Sequence, residues 1–308
     1  MHVPVLLEEM LRALRPVPGG LYLDGTLGAG GYAEAILGAS GSDGRVVALD
    51  LDPEAVHSAA VRLQGFGSRF IAIHGGFHEA AEILASLGID SVEGAVLDLG
   101  LSSDQLDDPQ RGFSFRFDGP LDMRFDTTAP ETALSYLQRI SASTLEEILA
   151  TYGDERYCKK LARRLIQARD SGRLTTAADL VRLVNGVLGR RKGRIHPATR
   201  TFQALRIAVN REVENLAAAL EDIPRLLKPG GRFCVVSYHS VEDRLVKRSF
   251  RERSKEPHRW TILTPKPVRP SQEEVKRNSR ARSAKMRVLE AGPLSECGLE
   301  RLECEERE

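Results

Sequence analysis

The stretch Leu21-Tyr22-Leu23-Asp24-Gly25-Thr26-Leu27-Gly28-Ala29-Gly30-Gly31-Tyr32 constrains this chain more than any other. A short apolar run leads into a turn rich in glycine, and Ala33 to Leu37 then begins a helix. Gly28, Gly30 and Gly31 can take positive φ where the chain reverses, and they carry no side chain to hold a ligand off the backbone. A strand, a glycine turn and a helix in succession open a βαβ nucleotide-binding unit, although glycines also serve a plain tight corner. A second apolar run, Arg45 to Asp50, ends in an acid twenty residues after Gly30. That is where such a fold places a carboxylate for a ribose diol.

The alternation continues from there. Asp52 followed by Pro53 predicts a helix over 53–63, with Asp52 as N-cap and proline at the first helical position. Phe70 to His74 reads as the third strand, Gly75 to His78 as a loop, Glu79 to Leu87 as a helix and Val92 to Asp98 as the fourth strand. Loops leaving the carboxyl ends of these strands carry Gly28 to Gly31, Asp50, Phe77 and Asp98. Ahead of the first strand, Leu6, Leu7, Met10, Leu11 and Leu14 have helical spacing, and Pro16 and Pro18-Gly19-Gly20 end that helix. After Pro109 the alternation stops. Residues 113–117 and 121–125 read as ordered loop or short strands, and helices follow from about 129 to 209. Within these, Tyr157, Leu161 and Leu165 recur as an apolar seam, opposite a basic face of Arg156, Lys159, Lys160, Arg163 and Arg164. Glu212 to Leu227 reads as a helix stopped by Lys228-Pro229-Gly230-Gly231, before a fifth strand over 232–237. A basic helix over 241–251 and strands at 260–263 and 285–290 complete the sheet. The expected organisation is a core over 1–105 and 211–291, a helical insert over 106–210, and an acidic, disordered tail over 292–308.

With 308 residues, 42% hydrophobic and 28% charged, the chain can bury an α/β core and a smaller second domain. It has no basic leader before an apolar segment and no run long enough to span a bilayer, so a cytoplasmic protein is expected. Cys158, Cys234, Cys297 and Cys304 form no Cys-x-x-Cys pair, which points to reduced thiols and implies no metal. The net charge of +1 hides a segregation. Residues 156–206 hold 14 Lys/Arg against two Asp, and residues 244–287 hold 15 against four Glu. Two such segments favour a polyanion-binding surface over ordinary solvated faces.

Several long stretches resemble the bacterial small-subunit ribosomal RNA cytosine-N4 methyltransferases of the RsmH/MraW type. They are His2-Val3-Pro4-Val5-Leu6-Leu7-Glu8-Glu9, Asp24 to Gly28 with Gly30-Gly31, Asp98-Leu99-Gly100-Leu101-Ser102-Ser103 with Gln105, and Arg111-Gly112-Phe113-Ser114-Phe115. The run His196 to Asn210, Ser237 to Arg244 and Arg280 to Lys285 complete the set. The resemblance implies a Rossmann-like class I α/β fold with a mostly parallel seven-stranded sheet and an inserted helical domain. It implies S-adenosylmethionine as methyl donor, and as acceptor N4 of a decoding-centre cytidine in 16S rRNA, within the small ribosomal subunit. Gly30, Gly31, Tyr32, Asp50, Phe77, Asp98 and Gln105 fall on its cofactor-binding positions. Tyr32 stands where the family usually has His, and Tyr238 where it usually has Phe.

Methyl transfer from a sulfonium is a direct displacement, and needs aligned reactants more than a metal or covalent nucleophile. The Pro-Pro-aromatic motif familiar in amino-methyltransferases is absent after the fourth strand, where Asp98-Leu99-Gly100-Leu101 stands. Asp98 and His239, both at strand ends, are therefore the candidate catalytic groups, with a histidine that merely bonds its own loop as the plain reading of His239. A nicotinamide-dependent dehydrogenase would share the glycine turn and Asp50, and a non-catalytic RNA-binding factor would share the basic segments. Monomer and homodimer both stay open.

Overall fold

The computed structural model describes residues 4–189, 196–256 and 258–293. His2 and Val3 of the N-terminal motif, Cys297, Cys304 and the acidic tail from Leu294 onward lie outside the described residues. The described residues fall into two compact units, one within 1–100 and 213–308 and the other within 101–212.

The first unit is built on seven strands, the central ones reading as apolar runs because both of their faces are covered, while the edge strand Phe70–His74 is partly exposed. These are β1 Leu21–Asp24, β2 Arg45–Asp50, β3 Phe70–His74, β4 Val92–Asp98, β5 Leu227–Ser237, β6 Trp260–Ile262 and β7 Lys285–Ala291. Their order is β3-β2-β1-β4-β5-β7-β6. β1 to β5 pair in parallel, whereas β7 runs antiparallel to both β5 and β6. Side chains of alternating parity feed two cores. Leu21, Leu23, Val47, Leu49, Leu97, Phe233, Val235 and Leu289 lie in one, with residues of the helices Ala80–Ser86, Glu212–Asp222 and Ser240–Arg253. Tyr22, Val46, Ala48, Val96, Cys234, Val236, Met286 and Val288 lie in the other, with residues of the helices Leu7–Leu14, Gly31–Ala39 and Pro53–Arg62.

The second unit has its own core of Leu137, Leu145, Leu149, Leu161, Leu165, Leu180, Phe202 and Leu205, among others. Its helices are Ser103–Asp107, Ala133–Arg139, Ala142–Thr151, Cys158–Asp170, Ala177–Leu188 and Thr199–Val209. Residues 112–132 form a long loop with an isolated bridge from Pro120 to Thr176. Asn210 holds that loop from inside, since its Nδ2 donates to Met123 O and its Oδ1 accepts from Phe125 N, both at 2.7 Å. Arg111 adds donations to Arg124 O and Phe125 O. Met123 sits at φ 60°, a left-handed conformation uncommon for a side chain of this kind.

Two expectations about helices need correction, and one further helix is present. The helix opening at Glu212 ends at Asp222, five residues early, and Ile223–Leu226 forms a 3₁₀ turn instead. Pro224 is the reason: it has no N–H to donate and disfavours helical backbone at Ile223. Tyr157 is not part of the apolar seam, because it caps the helix Cys158–Asp170 from outside and is exposed, while Leu161, Ala162, Leu165 and Ala168 form the buried stripe. The helix Gln272–Arg277, with no apolar repeat to announce it, was not expected; its Glu274 Oε1 accepts from the N–H of Leu6 at 2.8 Å.

Candidate active site

The sheet order reverses between β1 and β4, so a crevice opens at their carboxyl ends, the place where such sheets bind ligands. The parallel registers bring Asp24, Asp50 and Asp98 to that one end. Gly28 and Gly30 have φ of 47° and 79°, as the glycine turn requires. A Cβ at Gly28 would meet nothing within 4 Å, so the turn presents bare backbone to open space. Gly25 is held by sterics instead, since a Cβ there would lie 2.4 Å from Leu97 Cδ2 and 3.0 Å from Phe77 Cβ. Phe77 is thus seated beside the end of β1, half-buried against the core. Pro4 lies so close over Gly31 that a Cβ at that glycine would approach Pro4 Cγ to 2.3 Å. The Tyr32 hydroxyl donates to Val5 O, which ties the N-terminal motif to the helix that follows the turn. The Tyr32 side chain is buried, and burial pushes its phenol well above the usual tyrosine range.

Asp50 is fixed by backbone donors. Gly28 N donates to its Oδ2 at 2.7 Å and Asp52 N to its Oδ1 at 2.9 Å. The acid after the second strand and the glycine turn after the first are therefore one hydrogen-bonded structure. Asp24 is fully buried and accepts from Thr26 N at 3.1 Å through Oδ1, with the Ala33 N–H a second, weaker backbone donor to the carboxyl. Its carboxyl is raised to about 7, by burial first and by the charge of Asp50, against the pull of the Thr26 N–H. Asp98 is likewise raised to about 7: burial dominates, the Tyr238 hydroxyl bond at 2.8 Å opposes it, and the charges of Asp24 and Glu242 add to it. The backbone N–H of Asp98 donates to Thr26 Oγ1 at 2.6 Å, so the β1 turn also aims the end of β4.

His239 is the N-cap of the helix Ser240–Arg253. Its Nδ1 accepts from Glu242 N at 3.4 Å, and Glu242 Oε2 accepts from the N–H groups of His239 and Tyr238 at 3.2 and 2.9 Å. The plain reading of His239 thus describes its contacts. Gln105 does the same in the second unit, where it forms a capping box with Ser102 at the start of a short helix. Sequence reasoning gave no role to Asp24, Thr26 or Glu242. An acid ending β1 in step with those ending β2 and β4 was the available signal for Asp24.

Within the first unit, Arg244, Lys247, Arg248 and Arg251 are exposed at i, i+3, i+4 and i+7 of one helix, on one face. None of the four side chains makes a hydrogen bond or ion pair among the described residues. Further along, basic side chains are neutralised: Lys285 Nζ and Arg287 Nε each donate to Asp243 at 2.8 Å. In the second unit, Lys159, Lys160, Arg163 and Arg164 form an exposed face without acidic partners among the described residues. Among the described residues no helix is long and apolar enough to cross a membrane.

An antiparallel β7 inserted between β5 and β6 departs from the all-parallel dinucleotide sheet, and with acid-tipped strands around an open glycine turn it defines a Rossmann-like methyltransferase. Its methyl donor is S-adenosylmethionine, and the residues present fit one: bare backbone at Gly28, a fixed carboxylate at Asp50 and an aromatic ring at Phe77. A model of the MraW methylase family matches residues 1–292, and the chain belongs to that family. A Trichlorobacter lovleyi protein called ribosomal RNA small subunit methyltransferase H is 48% identical over 306 residues, covering 94% of this chain and 97% of that one. Proteins of the same name from Sorangium cellulosum and Thermomicrobium roseum are 50% and 46% identical, over 93% and 94% of this chain and 90% and 93% of theirs.

Proposed function

We propose that this enzyme methylates N4 of a decoding-centre cytidine in 16S rRNA, with the small ribosomal subunit as its substrate. The relatives' shared name supports the ribosomal RNA, and the resemblance carried by the runs Asp98 to Ser103 and His196 to Asn210 supports the cytosine amine. The observation that carries the chemistry is Asp98, raised to about 7 at the carboxyl end of β4 and oriented by the Tyr238 hydroxyl. A cytosine amine is a weak nucleophile because its lone pair is delocalised into the ring, and the base must leave its stack to reach a pocket. A carboxylate accepting from that amine favours pyramidal nitrogen, and a group titrating near 7 can take up the released proton. The donor, when bound, supplies an electrophilic methyl carbon.

Asp50 would take the donor's ribose hydroxyls and Phe77 its adenine face. Gly30, Gly31 and the backbone of Tyr32 would face its methionine end, as the hydroxyl of Tyr32 is spent on Val5. Gln105 completes the set inferred from the family pattern. His239 is a positioning residue that sets the start of the helix after β5. Residues 106–210 serve substrate recognition, through the basic face of the helix Cys158–Asp170. Incubation of small subunits with donor and enzyme, then mass spectrometry of the digested nucleosides, should yield N4-methylcytidine. A different methylated nucleoside would overturn the cytosine assignment, and none at all would overturn the reading.

A further inference from the structure

Beside the basic face of the helix Ser240–Arg253 lies a pocket of about 200 Å³. Lys247 and Arg251 line it from the helix, Arg287 from β7, and Thr264 from the segment after β6; Phe250 and Ile262 give it apolar walls. Arg287 lies on the same face of β7 as Leu289, under the helix, and is itself buried. Its Nε is held by Asp243, which leaves its Nη atoms without a hydrogen bond among the described residues. Asp243 stays ionised: burial would raise it, but Arg287 and Lys285 hold it below the usual aspartate range. That carboxylate is engaged by Lys285 and Arg287, and Lys247 and Arg251 have no acidic partner among the described residues. Arg287 pairs across the sheet with Val235, two residues before the end of β5, so its backbone lies roughly 7 Å along the strand from the end that carries Asp98 and Tyr238.

We infer that this pocket is a nucleotide subsite, taking one phosphate and the adjoining sugar or base of the RNA strand next to the target cytidine. The inference rests on the RNA substrate proposed above. Two unpaired cations on one helix turn, with a third beneath them, match a phosphate diester. A phenyl ring and an aliphatic wall match a base or ribose face, which a phosphate-only site would not need. The volume is below the roughly 300 Å³ at which pockets begin to hold whole small ligands, so a part of a longer ligand suits it.

The test separates a subsite from a merely basic surface. Arg251→Ala should raise the dissociation constant for a target-containing RNA by about tenfold or more, whereas Arg248→Ala, of equal charge on the same helix but outside the pocket, should raise it only about two- to threefold. Ile262→Ala should weaken RNA binding without changing its salt slope, with a cooperative melt well above the assay temperature as the check on folding. In the unaltered enzyme, RNA carrying 4-thiouridine beside the target cytidine should cross-link on irradiation to a peptide spanning residues 247–265. Equal effects of the two arginine variants, or cross-links confined to other peptides, would overturn the subsite. Methylation of small subunits by the wild-type enzyme in the same experiments would leave the RNA reading standing in that event.

Discussion

The Tyr238 hydroxyl donates to Asp98 Oδ1 at 2.8 Å, bridging the ends of β5 and β4. It opposes the burial that raises the carboxyl to about 7. Tyr238→Phe should therefore push Asp98 higher still. If Asp98 works as the ionised acceptor, kcat/KM rises with pH through about 7 in the wild type, and in the variant that limb moves to higher pH. A limb that stays in place would show that another group titrates.

Asp24 bears on stability. Its carboxyl is raised in the folded state, so the native protein binds more protons than the unfolded chain between about 4 and 7. Stability from this group is intact below the unfolded value and is lost as pH rises through the folded one. Asp24→Asn should stabilise the donor-free protein at pH 8 by on the order of 2–4 kcal/mol and leave it little changed at pH 4. Chemical denaturation at the two pH values measures this.

Asp50→Ala removes the acceptor for Gly28 N as well as the ribose partner we assign to it. Donor affinity measured by calorimetry should fall by a few kcal/mol, because charge-assisted bonds and the shape of the turn are lost together. Asp50→Asn, which keeps one acceptor oxygen, should fall less.

Phe77→Ala should raise the donor's dissociation constant with only a modest loss of melting temperature, since Phe77 is half-buried, with its Cβ beside Gly25. Gly25→Ala should show the opposite balance. Its new methyl would overlap Leu97, at a cost of about 1–3 kcal/mol in folding stability.

Replacing Lys159, Lys160, Arg163 and Arg164 with Ala should weaken RNA binding and flatten its dependence on salt while donor affinity holds. The set Lys247, Arg248 and Arg251 should do the same. A set that leaves both affinity and salt slope unchanged is only a solvated face.

The order of strands and helices in the first unit was legible from sequence because both devices that signal it are local. Apolar runs of strand length report burial on two faces, and Asp52-Pro53 or the glycine turn reports where a helix starts. The stop at Pro224 is equally local, and Lys228 to Gly231, which read as a turn, form the start of β5. Tyr157 shows the limit of periodicity: helical spacing places a residue on a stripe only if the helix already includes it, and Tyr157 stands just before the first turn.

Sequence alone determined that acids would end β2 and β4 beside a glycine turn, and that two basic segments exist, since these are properties of residue type and spacing. Tertiary structure decided what each group touches. Gly28 reaches Asp50 across 22 residues, Thr26 reaches the Asp98 N–H across 72, and Tyr238 reaches the Asp98 carboxylate across 140. The helix cap made by His239 and the commitment of the Tyr32 hydroxyl to Val5 also became visible only in the fold. Hydrogen bonding and desolvation depend on distance and burial, and both are set when the sheet brings its strand ends together, not by position along the chain.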